Sequence, residues 1–169
     1  MKPDADECLP YYFQYIDLVP DGDIVTQLER QITETAALLA GFTRAQGVRR
    51  EAPGEWNAVE IVGHLADVER VSAYRALRIA RADPTMWTQV KFDDWAAHAN
   101  FKDRSLEDVV VEFTAVRGST VALLRGLDAP AWARRAPKDW PLRSVRAVAY
   151  NIAGHELHHV ADIRRQLTG

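Results

Sequence analysis

Cysteine is almost absent from this sequence. Cys8 is the only cysteine among 169 residues, which excludes an internal disulfide and a zinc site built from several cysteines. Long hydrophobic runs are also missing, since no apolar stretch approaches the ~18 residues that a membrane-spanning helix needs. The first seven residues are polar and acidic, which argues against a secretory signal peptide. We therefore expect a cytoplasmic protein with no membrane partner.

The sequence also lacks an excess of positive charge. Its 21 Lys and Arg residues stand against 24 Asp and Glu residues, giving a net charge of −3 and a pI of about 5.9. Nucleic-acid binding needs a basic face that displaces counterions from phosphates, so we expect no nucleic-acid partner. Hydrophobic residues make up 47% of the chain and charged residues 27%, which is typical of a globular protein. The length predicts one domain, with an N-terminal arm over residues 1–22 and its body over 23–168.

The alternation typical of strands is scarce, and helical periodicity is found in its place. Each of four amphipathic segments begins at a residue that can cap a helix. They run from Asp23 to near Gly41, from Asn57 to near Ala82, from Ser105 to Leu127, and from Ser144 to beyond Ile163. Helices of about 20 residues, ~30 Å long, predict an all-α four-helix bundle. The longest connection, residues 83–104, joins the second and third helices, and a crossover there would leave these two parallel.

The histidines give the strongest indication of function. His155 and His159 are four residues apart on the apolar stripe of the fourth helix, so their imidazoles project from one face about one turn apart. That geometry allows both to bind one metal ion. His64 lies at the core edge of the second helix and becomes a third ligand if the two helices are neighbours. His158 is predicted to face outward, and His98 to be exposed in the long connection.

Two other interpretations of the histidines stay open. Buried histidines also occur as core residues with satisfied hydrogen bonds. His155 to His159 also fits the H-E-x-x-H pattern of zinc proteases, with Glu156 as general base. That interpretation needs a further ligand downstream, for which Asp162 is the only oxygen candidate, and a substrate-binding sheet that the sequence does not predict.

Two motifs in this order resemble those of the DinB-like family. The first is Gly63-His64-Leu65-Ala66-Asp67, which follows Glu55-Trp56-Asn57, and the second is Gly154-His155-Glu156-Leu157-His158-His159. Softer matches are Glu69-Arg70 with Tyr74-Arg75-Ala76-Leu77, and Phe92-Asp93-Asp94-Trp95. The resemblance covers about residues 11–167.

The resemblance implies a four-helix bundle with up-down-down-up connectivity. It implies a metal site at His64, His155 and His159, which holds zinc or nickel in most relatives and iron or manganese in some. Homodimers are common in the family. Relatives act as thiol-dependent S-transferases or isomerases, or as metal-dependent hydrolases, so the partner is expected to be a small molecule such as a low-molecular-weight thiol.

Asp162 departs from the family pattern, because a glutamine is expected at this position. It can serve as a fourth ligand, orient an imidazole, or pair with Arg165 three residues on. Glu156, Asp67 and Glu60 are candidates for a base or an orienting group, and they can equally be charges on solvated helix faces. Trp56, Trp87 and Trp95 are candidates for a pocket mouth, although tryptophan more often fills a core.

Three imidazoles leave coordination positions for water or substrate, as in catalytic zinc sites. The leading hypothesis is therefore a metal-dependent hydrolase or thiol S-transferase. The alternatives are a non-catalytic, stress-associated bundle that binds metal or ligand, and a structural dimer whose histidines belong to the core.

Overall fold

The computed structural model describes residues 1–85 and 89–168 of the chain. Eight helices lie in these ranges: α1 Phe13–Ile16, α2 Ile24–Ala40, α3 Arg44–Gly47, α4 Ala58–Ala80, α5 Phe92–His98, α6 Leu106–Arg125, α7 Ala129–Ala133 and α8 Val145–Thr168. Short 3₁₀ turns occupy Pro10–Tyr12 and Phe101–Asp103. The described residues form no strand, only the isolated bridges Cys8–Leu142 and Arg135–Ser144. The all-α prediction is confirmed.

The four long helices begin at the residues that the sequence indicated. Asp23 accepts a hydrogen bond from the Thr26 backbone N–H at the start of α2. Asn57 and Ser105 form complete capping boxes at α4 and α6, and Ser144 accepts from the backbone of α8. These contacts are local, so a linear motif is enough to predict them. The four short helices, which lack enough periodic residues, were not predicted.

The long helices form a bundle with the predicted up-down-down-up connectivity. The end of α6 pairs with the start of α2 through Arg125 and Glu29, so these helices are antiparallel. Trp56, just before α4, accepts a hydrogen bond from Gln166 near the end of α8, and His64 farther along α4 contacts His155 farther back along α8, so these are antiparallel too. Successive turns of α2 contact successive turns of α8 in the same order, so this pair is parallel. The helices α4 and α6 therefore both run opposite to α2 and α8.

A buried ionic cluster joins the four long helices at the centre of the bundle. Arg117 of α6 donates two hydrogen bonds of 2.8 Å to Glu69 of α4 and one of 2.6 Å to Glu156 of α8. It also donates to the side chain of Gln31 on α2, and Thr35 of α2 donates to Glu156. Burial opposes the charge on Arg117, but the two carboxylates more than offset this and raise its pKa.

The N-terminal arm is fastened to the start of α8 through Glu7. This carboxylate is fully buried and pairs with Arg135 and Arg146, while the Ser144 hydroxyl donates to it. Burial by itself would raise the pKa of Glu7, but these donors outweigh it and lower the pKa to about 2. The anchored segment places α1 against α8, which brings tyrosines of the arm to the histidine cluster.

The long connection between α4 and α6 contains the helix α5 and the second 3₁₀ turn. Phe92 and Trp95 of α5 contact each other edge to face, and Phe101 is buried against α4. Trp87, a candidate for the pocket mouth, lies outside the described residues. Among the helices that are described, none is long and apolar enough to cross a membrane.

Candidate metal centre

The imidazoles of His64, His155 and His159 come together between α4 and α8. The ring centroids of His155 and His159 are 4.6 Å apart, and the His64 centroid lies 5.3 Å and 5.2 Å from them. One ligand atom of each histidine lies within 4.8 Å of the other two. Since zinc–nitrogen bonds are about 2.1 Å long, small side-chain rotations let all three reach a single ion. The sequence made His64 a third ligand only if these two helices are neighbours, and the antiparallel packing of α4 and α8 meets that condition.

Burial keeps the three imidazoles neutral. It lowers the pKa of His64 to about 3, with a further contribution from the neighbouring His159. It lowers the pKa of His155 well below the usual value, again with help from the other histidines. It also lowers the pKa of His159, where the charge of Asp162 partly opposes the effect. Neutral imidazole is the form that binds a metal.

Asp162 lies beside His159 on the next turn of α8. One carboxylate oxygen of Asp162 is 3.2 Å from Nδ1 of His159, and the other accepts a 2.5 Å hydrogen bond from Arg165. The two atoms lie at ion-pair distance without the geometry of a hydrogen bond, and a carboxylate at this nitrogen favours the orientation that leaves Nε2 for a ligand. The orienting contact and the ion pair with Arg165, two of the roles expected for Asp162, therefore occur together. His158, His159 and Asp162 also form a second, more exposed group with metal-ligand spacing.

Aromatic side chains surround the histidine cluster. Trp56 packs on His64 with ring centroids 4.6 Å apart and lies 6.4 Å from the His159 ring. Phe92 of α5 meets His64 edge to face. Tyr15, brought in by the N-terminal arm, meets His155 in the same way. Trp56 is therefore a wall of the site, as one interpretation of the sequence proposed.

A cavity of about 560 Å³ opens onto the cluster. The three histidines and the aromatic wall residues line it near the cluster, together with the exposed His158. Farther along α4 and α8 it is lined by Ser72, Arg75 and Asn151, a set that we call the far end of the cavity. The size suits a small molecule.

The glycines that precede two of the histidines let other segments close over the site. A Cβ at Gly63 would lie 2.2 Å from the Phe101 ring, and one at Gly154 would lie 2.0 Å from the backbone oxygen of Tyr15. No side chain fits at either position without displacing its neighbour. The glycine-histidine pairs of both motifs thus combine a ligand position with a close approach of chain segments.

Several candidates from the sequence lie away from the cluster. The carboxylate of Glu156 accepts from Arg117 and Thr35 and does not line the cavity, so its role as general base stays a prediction and the geometry favours a structural one. Glu60 completes the capping box of α4, and Asp67 pairs with Arg70. Two others are exposed and do not line the cavity, namely His98 and Trp95.

The residues of the far end and the tyrosines of the arm were not among the candidates from the sequence. Asn151 precedes His155 by four residues, and Ser72 follows His64 by eight, so helical spacing could have placed both on the faces that carry the histidines. No comparable signal marks the tyrosines, because their position depends on how the arm docks.

The comparisons with known proteins agree with this architecture. The family model described as the DinB superfamily matches residues 27–163. A solved structure is described as "YfiT from Bacillus subtilis is a probable metal-dependent hydrolase with an unusual four-helix bundle topology". It aligns with a TM-score of 0.70 at 17% identity, over 98% of this chain and 91% of that chain. At this identity the likeness establishes the fold alone. None of the curated proteins compared with the chain matches it.

Proposed function

The chain belongs to the DinB superfamily, and on this premise we propose that it is a metal-dependent enzyme whose His64, His155 and His159 hold one divalent cation. The observation that carries the proposal is the convergence of three neutral imidazoles, one buried and two partly buried, on a cavity. Imidazole suits zinc, nickel and iron, whereas manganese prefers oxygen ligands. We expect zinc or nickel, as the family resemblance implies, with iron or manganese as alternatives.

The three-histidine set leaves coordination positions for a substrate. When bound, the cation supplies a Lewis acid that lowers the pKa of a coordinated water or thiol. Other residues orient the histidines and shape the cavity beside them. Asp162 orients His159, while Trp56 and Tyr15 limit the access of solvent. We propose hydrolysis of a small molecule as the reaction class, in keeping with the description of YfiT as a probable metal-dependent hydrolase.

Thiol S-transfer is the second candidate reaction. A cation held by the same histidines would accept a thiolate in place of a water, and the cavity of about 560 Å³ has room for a low-molecular-weight thiol. The cytoplasmic location, the single domain and the homodimer remain predictions from the sequence.

Elemental analysis of untagged protein purified without chelator tests the metal site. We expect about one metal per chain in the wild type and almost none in His155→Ala. The matched control is His98→Ala, which removes a histidine that is exposed and outside the cavity, and it should keep the metal. Equal metal content in all three proteins would overturn the site, and the histidines would then be core residues.

Activity assays separate the enzyme from the non-catalytic, stress-associated bundle. A panel of esters and amides and a panel of thiol acceptors are incubated with metal-loaded wild type and with His155→Ala. We expect turnover in one panel that is lost in the variant. Stoichiometric metal without turnover in either panel would favour the binding protein instead.

A further inference from the structure

The far end of the cavity holds a buried polar side chain with no partner. Asn151 is only 7% exposed, and its Oδ1 meets no hydrogen-bonding group within the described residues. Buried polar atoms are nearly always paired, since leaving one unpaired is destabilising. Asn151 also lines the cavity, so a rotation of its carboxamide would present the unpaired oxygen to a ligand there.

Another buried amide shows the contrast with a structural role. The Oε1 atom of Gln166 is also unpaired, but its Nε2 donates a 2.8 Å hydrogen bond to the backbone oxygen of Trp56. That bond fixes α8 to the segment before α4, which gives the buried Gln166 a structural role. Within the described part of the chain, no corresponding bond holds the carboxamide of Asn151.

The position of Asn151 relates it to the metal centre. Asn151, His155 and His159 recur every four residues along α8, so they share one helix face at intervals of ~6 Å. On the facing helix α4, Ser72 follows His64 along the same cavity. A molecule that reaches the histidines at one end therefore meets the carboxamide about one helical turn away.

We propose that Asn151 is a substrate-positioning residue, whose carboxamide binds a hydroxyl or amide group of the substrate while another group of the same molecule reaches the metal. A carboxamide both donates and accepts hydrogen bonds, so it selects a group of the same kind over an apolar one. This inference rests on the proposed metal site. It adds the substrate class: small molecules with a neutral polar group about one helical turn from the reacting group.

Two thiols of similar length serve as probes of this contact. Mercaptopropanol and butanethiol both bind a metal through sulfur, and they differ at the far end of the carbon chain, where one has a hydroxyl and the other a methyl. The protein is loaded with cobalt, and each thiol is titrated while the thiolate-to-cobalt absorption is recorded. The measured quantity is the ratio of the two dissociation constants, in which the common metal–sulfur bond cancels.

We expect the preference of the wild type for mercaptopropanol to fall about three- to tenfold in Asn151→Leu, as for the loss of one hydrogen bond. The matched control is Asn100→Leu, the same substitution at an exposed position outside the cavity, which should leave the ratio unchanged. An equal ratio in the wild type and Asn151→Leu would overturn the proposal. The hydroxyl group of mercaptopropanol would then gain no affinity from the carboxamide of Asn151.

Thermal unfolding of the metal-free proteins provides a readout independent of the probes. Replacing an unpaired polar group by leucine of similar size should leave Tm unchanged or raise it. A clearly lower Tm in Asn151→Leu would mean that Asn151 holds the fold, and it would overturn the proposal. Cobalt uptake distinguishes a failure of the proposed function from a failure of the role of Asn151. A wild type that binds no cobalt contradicts the proposed function, whereas normal uptake with an unchanged thiol ratio contradicts only the role of Asn151.

Discussion

At the scale of single residues, burial decides the protonation state of the candidate ligands. Exposed histidines are half protonated near pH 6.5, whereas burial lowers the pKa of His64 to about 3 and that of His155 in the same direction. Protons therefore compete with a metal only under more acidic conditions. The unfolded chain takes up the proton first, so the metal-free protein should lose stability as the pH falls from about 6.5 towards 3.

We predict that bound metal is retained well below the pH of about 6 at which three exposed histidines would release it. Metal content after dialysis at stepped pH measures this, and circular dichroism of the same samples separates release from unfolding. Half-release near pH 6.5 with the fold intact would contradict the prediction.

Asp162 is predicted to raise metal affinity through its contact with Nδ1 of His159. Asp162→Asn removes the charge that orients the imidazole, so zinc affinity should fall about 10- to 100-fold. The control is Arg165→Ala, which removes the exposed partner of Asp162 and should have a much smaller effect. Competition with a chromogenic chelator measures both, and equal affinities for wild type and Asp162→Asn would show that the contact has no such role.

At the scale of elements, two glycines determine how closely other segments approach the helices that carry the histidines. Phe101 packs over Gly63 on α4, and the backbone of Tyr15 packs over Gly154 on α8. The approach at Gly63 packs Phe101 into the core, and the approach at Gly154 places Tyr15 at the wall of the cavity. The N-terminal arm contributes three tyrosines to the cavity in this way, namely Tyr11, Tyr12 and Tyr15.

Gly154→Ala should displace the arm, because the new Cβ would overlap the Tyr15 backbone. Overpacking of this kind costs about 1–3 kcal/mol, and faster hydrogen exchange in residues 10–18 should accompany it. Gly118→Ala in α6 is the control, since nothing lies within 4 Å of its Cβ and alanine favours a helix. Unchanged exchange in the arm of Gly154→Ala would contradict the docking described above.

At the scale of the whole molecule, the cluster around Arg117 links the four long helices. One guanidinium serves two buried carboxylates on α4 and α8. Neither carboxylate tolerates the loss of its partner, because an unpaired buried charge is far more costly than an unpaired exposed one. The cluster therefore favours this arrangement of helices over others with equally apolar cores.

Arg117→Met keeps an unbranched apolar stem but removes the guanidinium and leaves Glu69 and Glu156 without a counter-charge. We expect it to lower the free energy of unfolding by about 3–5 kcal/mol. Arg125→Ala removes an exposed pair with Glu29 and should cost less than about 1 kcal/mol. Urea unfolding measures both variants, and similar midpoints would show that the central cluster is not required for stability.

Local features of the sequence determined the four long helices and part of the candidate metal centre. Caps such as Asn57 with Glu60 act within four residues, and the His155–His159 pair follows from one helical turn, so both can be recognised from linear spacing. Only the tertiary structure decided that His64 joins that pair and that the N-terminal arm places Tyr15 beside His155. It also decided that the carboxylate of Glu156 pairs with Arg117 and does not line the cavity. Each of these contacts joins residues far apart in the sequence, and their positions depend on how whole helices pack rather than on any local preference.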